Sequence, residues 1–133
     1  MADSPVVVSP SVQRLRIVAI VTAVLLLIQL GLGIMIATGN GGVRPAHAGV
    51  GYLATLSGIV AAVFAWQAAK KAGSMGAFFH AVSLPVLMLV QIGLAEMGGL
   101  VIPHIILGIL ILLGAVGLVP MAGKLATRQG TAA

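Results

Sequence analysis

The stretch IVAIVTAVLLLIQLGLGIMIAT, residues 17–38, carries no charged side chain, and its only polar side chains are Thr22, Gln29 and Thr38. A helix needs about 20 consecutive apolar residues to cross the hydrocarbon of a bilayer, and this run supplies them. Three further runs of similar length follow: HAGVGYLATLSGIVAAVFAWQAA (47–69), GAFFHAVSLPVLMLVQIGLAEMG (76–98) and HIILGILILLGAVGLVPMAG (104–123). Short polar or glycine-rich connections separate them, which predicts antiparallel neighbours. The expected fold is all-α: an integral membrane four-helix bundle over 13–125. Residues 1–12 hold two prolines and no period, and are too weakly basic for a cleaved signal peptide. They read as a loose tail, and 126–133 as a short C-terminal one. Pro85 inside the third run predicts a kink whose freed carbonyl the neighbouring helices must satisfy.

Composition supports the same class. Of 133 residues, 60% are hydrophobic and 7% charged, with a mean hydropathy of +1.21. A soluble domain carries roughly a quarter charged residues. The net charge of +5 could point to nucleic acid, but the basic residues form short clusters between apolar runs, with no basic helix face or aromatic platform. No nucleic-acid partner is expected; the partner the composition implies is the lipid bilayer. Arg14, Arg16, Lys70, Lys71, Lys124 and Arg128 all fall on the side of the two termini, and only Arg44 on the other. The positive-inside rule then predicts a multi-pass protein of the cell's inner (plasma) membrane with both termini cytoplasmic. Trp66 suits an anchor at the inner interface. There is no cysteine, which leaves histidine as the good nitrogen ligand and excludes thiolate sites and covalent c-type haem.

The chain repeats itself. LIQLGLG (27–33) matches LVQIGLA (89–95), and downstream of each comes a proline, a histidine and, four residues later, a glycine. These are His47 and Gly51 after RPA, and His104 and Gly108 in PHIILG. The bundle is therefore expected to consist of two tandem helical hairpins in parallel orientation, related by an axis along the membrane normal. Both histidines then lie at similar depth near the outer face.

Pro45 and Pro103 suit the first turn of a helix, where a missing N–H costs nothing. They hold His47 and His104 in that turn. Gly51 and Gly108 stand one turn deeper on the same face and leave clearance beneath each imidazole. Two imidazoles facing each other over such clearance suit the axial ligation of a haem iron, b-type in the absence of cysteine. The same glycines also suit plain small-residue packing. Two imidazoles without a carboxylate or sulfur partner make a poor closed site for zinc or copper. Gln29 and Gln91 at matched positions suit either interhelical hydrogen bonds or the wall of a cofactor pocket. Arg44 suits haem propionates or an ordinary interfacial position. Glu96 is either a wet loop residue or a proton-handling group. His80, whose repeat counterpart is Val18, reads as a packing histidine beside Phe78 and Phe79. Gly58, Ala62 and Gly114 read as helix-packing positions.

Helix order, histidine placement and phrases such as VQIGLAEMGGLVIPHIILGIL (90–110) resemble the haem A synthase family, and the chain is similar to a single four-helix half of such a protein. The resemblance covers roughly residues 14–125. It implies a respiratory-chain oxidoreductase setting and His47 and His104 as the axial pair. The family's catalytic half carries a glutamate three residues before its first histidine; here that position is Arg44. No catalytic residue is assigned on this basis.

The expected function is an integral membrane, cytochrome b-like haem protein. It would act in haem A biosynthesis and terminal oxidase maturation, or in membrane electron transfer, as a homodimer or within a larger respiratory or oxidase-assembly complex. The alternative is a cofactor-free small membrane subunit or assembly factor of a respiratory complex, motivated by the scarcity of polar catalytic groups.

Overall fold

A computed structural model describes residues 8–131, with side chains through residue 126. Four long helices make up almost all of it: α1 (Pro10–Ala37), α2 (Arg44–Ala72), α3 (Gly76–Glu96) and α4 (Val101–Thr131). A single 3₁₀ turn, Gly41–Val43, leads into α2. All four helices are long and apolar enough to cross a membrane. The fold is that of a multi-pass membrane bundle.

The connections turn on glycine. Gly39, Gly73, Gly98 and Gly99 all have positive φ. Gly73 ends α2 with φ +62, the left-handed C-cap that a side chain would strain. Consecutive helices run antiparallel around a closed ring, each packing on its sequence neighbours, while α1 also packs on α4. The even helices α2 and α4 therefore lie on one diagonal of the bundle.

The buried positions follow one rule. In α1 they include Val12, Leu15, Ala19, Thr22 and Leu26; in α2, Ala54, Gly58, Ala61, Ala65 and Ala68. In α3 they include Ala77, Ala81, Leu84 and Met88, and in α4 Ile111, Ala115, Leu118, Ala122 and Leu125. Every series steps by alternating threes and fours, the seam of left-handed helix packing. Inward and outward faces differ in size more than in polarity, since lipid accepts Ile, Val and Leu as readily as a core does. Small residues on the inner face let backbones approach, which is what drives association where no hydrophobic force acts between helices. One buried hydrogen bond joins the first hairpin, between the hydroxyls of Thr22 and Ser57 at 2.7 Å, with Thr22 donating to the Val18 carbonyl.

Two boundaries differ from expectation. α1 opens at Pro10, inside the stretch expected to be loose, because proline suits the first turn and Ser11 and Val12 are already buried against the bundle. Residues 1–7 of that stretch lie outside the described residues. At the other end α4 runs to Thr131, so 126–131 are helical rather than a tail; Ala122 and Leu125 carry the buried seam past Pro120 and no breaker follows at once. Residues 132–133 lie outside the described residues. Pro85 sits buried within α3, its ring 3.5 Å from where a Cβ on Gly58 would stand. Trp66 is half exposed, with the Lys70 ammonium 4.9 Å from its ring.

Overpacking the seam tests this architecture. Ala61→Leu and Ala115→Leu, both at fully buried positions, are expected to destabilise the bundle by about 1–3 kcal/mol. Val116→Leu on the lipid face is expected to stay within about 0.5 kcal/mol. Unfolding in detergent mixed with dodecyl sulfate, followed by circular dichroism, measures both.

Candidate functional site

The seam does not stop where the packed core stops. Beyond Leu26 it continues to Gln29 and Gly33; before Ala54 it holds His47 and Gly51. Beyond Met88 it continues to Gln91 and Ala95, and before Ile111 it holds His104 and Gly108. The same threes and fours that bury alanine at the termini end aim histidine, glutamine and glycine inward at the other. None of these residues belongs to the fully buried core, whose last members are Leu26, Ala54, Met88 and Ile111. Above that floor the bundle holds a cavity of about 580 Å³, lined from all four helices. That volume lies within the range of sites that take a small molecule or cofactor.

His47 and His104 are each the fourth residue of their helix, and both face the bundle axis. Their ring centroids are 6.1 Å apart, with planes inclined by 49°. A metal–nitrogen bond of about 2 Å, plus about 1 Å from that nitrogen to the ring centre, places two imidazoles on one metal ion roughly 6 Å apart. The pair has the spacing of two axial ligands.

The two hairpins place glutamine, glycine and histidine alike, but only the second closes the interlock. In α3–α4 the Gln91 amide Nε2 donates to the His104 carbonyl at 2.7 Å, while His104 Nδ1 lies 3.2 Å from the Gln91 carbonyl. The ring nitrogen donates there, which leaves Nε2 without a proton, the arrangement that orients metal-bound histidines in other proteins. Gly108 makes it possible, since a Cβ at that position would stand 2.9 Å from Gln91 Nε2. In α1–α2 the Gln29 amide lies in the same place over Gly51, 2.8 Å from where a Cβ would be, and the His47 ring lies over Gly33. There the lock is incomplete. The Gln29 backbone faces His47, but Nδ1 closes no hydrogen bond of good geometry and is buried without a partner. The Oε1 atoms of Gln29 and Gln91 are also buried and unpartnered. Three orphaned polar atoms in one layer are unusual, because such atoms cost about 1–3 kcal/mol each when unmet.

The sequence-derived residues are thus brought together, with one change of role. Gly51 and Gly108 line the cavity, but the clearance read as room for a flat ligand is occupied by the glutamine amides. Gln91 makes the interhelical hydrogen bond; Gln29 packs without one. Arg44 and Glu96 stand exposed at the cavity wall. His80 lies apart, its Nε2 2.8 Å from the Gly114 carbonyl, a packing contact between α3 and α4. Among the described residues, no group of three or more His, Cys, Asp and Glu side chains gathers to hold a metal ion. Sequence reading missed Gly33, the small residue under His47, and its repeat counterpart Ala95 on the cavity wall. A signal was present: in an antiparallel pair, contacting residues keep a constant index sum, and 29 with 51 and 33 with 47 share one.

Comparison with family models, with curated proteins and with solved structures finds no match.

The interlock predicts an energetic coupling. Gly108→Ala should cost about 1 kcal/mol more stability in the wild-type background than in Gln91→Leu, where no amide remains to be displaced. A double-mutant cycle in detergent measures it.

Proposed function

We propose that this chain is an integral membrane haem-binding protein in which His47 and His104 are the axial ligands of a single b-type haem. The 6.1 Å ring separation across the cavity is the observation that carries the reading. The residues fit the group: both rings face one gap, and His104, donating from Nδ1, keeps its Nε2 free to ligate. A haem supplies a one-electron redox couple tuned by its axial ligands and their hydrogen bonds. Two histidines fill both axial positions, which favours electron transfer over oxygen chemistry at the same iron. Of the two expected roles, membrane electron transfer fits this site better than the hydroxylation of haem A biosynthesis that the haem A synthase resemblance implies. On the positive-inside rule the site lies near the outer face and both termini in the cytoplasm, in the plasma membrane. A homodimer or a larger respiratory or oxidase-assembly complex would supply the redox partner.

A cofactor-free subunit is the competing reading, favoured by the closed Gln91–His104 lock, which needs no ligand. It gives no account of the cavity.

Purification in detergent with haem supplied, followed by reduced-minus-oxidised spectra, separates the two. An α-band is expected in the wild type, and its loss in His47→Ala together with His104→Ala. No band in the wild type, or a band that survives the double substitution, overturns the haem reading. Pyridine haemochrome analysis identifies the haem as b, o or a.

A further inference from the structure

The lipid-facing surface carries a groove at the end of the bundle that holds both termini. Ile59, Ala62, Val63 and Trp66 of α2 and Phe78 of α3 enclose about 370 Å³ at the junction of those two helices. Ile59 and Trp66 are seven residues apart, so the groove follows about 10 Å of helix. Its only polar atom on a lining side chain is the indole nitrogen of Trp66. One turn beyond Trp66 stands Lys70, with its ammonium 4.9 Å from the centre of the Trp66 ring. Hydrocarbon walls therefore lead to a cation at one mouth. Among the described residues no carboxylate pairs with Lys70, and no hydrogen bond engages the indole N–H. Glu96 ends α3 at the opposite face of the bundle.

The corresponding junction between α4 and α1 lacks these walls. Repeat-equivalent positions are 57 apart in the even helices and 62 apart in the odd ones, as His47/His104 and Gln29/Gln91 fix. Trp66 then corresponds to Gly123, and Phe78 to Arg16. A tryptophan that merely anchors a helix at the interface needs only the right depth. It needs neither a groove beside it nor a second aromatic across the junction. We infer that the α2–α3 junction is a site for one anionic phospholipid, with an acyl chain lying in the groove against Trp66 and Phe78 and the headgroup phosphate on the Lys70 ammonium. The indole N–H supplies a second donor to the headgroup. A zwitterionic lipid fills the groove with the same hydrocarbon but brings its own cation to the mouth, so charge sets the preference. The site lies at the far end of the bundle from His47 and His104 and stands whether or not haem binds.

Trp66 is the chain's one tryptophan, so its fluorescence reports on the groove directly. The protein is reconstituted in vesicles of phosphatidylcholine and phosphatidylglycerol in varied proportion, with bromine on the acyl chains of one lipid or the other. Quenching measured against unbrominated vesicles gives the relative affinity for the two. The wild type is expected to prefer phosphatidylglycerol by about fivefold, and Lys70→Gln to remove most of that preference. Lys71→Gln deletes the same charge from the next residue, about 100° away around the helix. It is expected to leave the preference within about twofold of the wild type. Ala62→Leu narrows the groove and is expected to lower the preference by unseating the chain, with circular dichroism confirming that the helices persist. No preference in the wild type, or equal losses in Lys70→Gln and Lys71→Gln, overturns the site, because a diffuse surface field does not tell the two lysines apart. A preference that survives Ala62→Leu while Lys70→Gln lowers it overturns the groove and leaves only attraction at the surface.

Discussion

Side-chain size, read along a seam of alternating threes and fours, is the constraint on which the whole structure depends. In lipid, neighbouring helices gain nothing by hiding apolar surface from each other, so they approach only where small residues permit close backbone contact. α2 meets that need with Ala54, Gly58, Ala61, Ala65 and Ala68, and the larger Leu15, Leu84, Ile111 and Leu118 of the other three helices fill what space remains. Toward the termini the bundle closes. Toward the other end the seam positions pass to histidine and glutamine, and the closed bundle gives way to a cavity. A packed half holding an open half is the arrangement by which a small protein can keep two ligating groups in fixed positions.

Glutamine and glycine do the holding. Glycine on the even helix bares the carbonyl one turn back, the neighbouring glutamine amide reaches it, and the histidine ring answers by facing the backbone carbonyl of that glutamine. In the second hairpin both bonds are formed. In the first they are not, and His47 is left with a buried nitrogen lacking a partner. The two histidines are therefore unequal: His104 is fixed in ring orientation and tautomer, whereas His47 is restrained mainly by packing over Gly33. An axial pair of this kind would have one ligand set by the protein and one that settles when the metal arrives.

Much of this was legible in the sequence. Four spans, tandem hairpins and the inward placement of His47 and His104 follow from run lengths and the repeat. The helix boundaries were less so. Nothing in MADSPVVVSPSV announces that burial of Ser11 and Val12 carries α1 back to Pro10, and nothing after Leu125 marks an end to α4. Gly51 and Gly108 were legible as small but not as filled, because a glycine records a close approach without naming what approaches.

The central claim is that one iron sits between two imidazoles supplied by opposite helices. Electron paramagnetic resonance of the oxidised, haem-loaded protein tests it most directly, with histidine nitrogen labelled so that ligand hyperfine coupling can be counted. The account predicts a low-spin ferric signal coupled to two histidine nitrogens. A high-spin signal, or coupling to one histidine only, would contradict it.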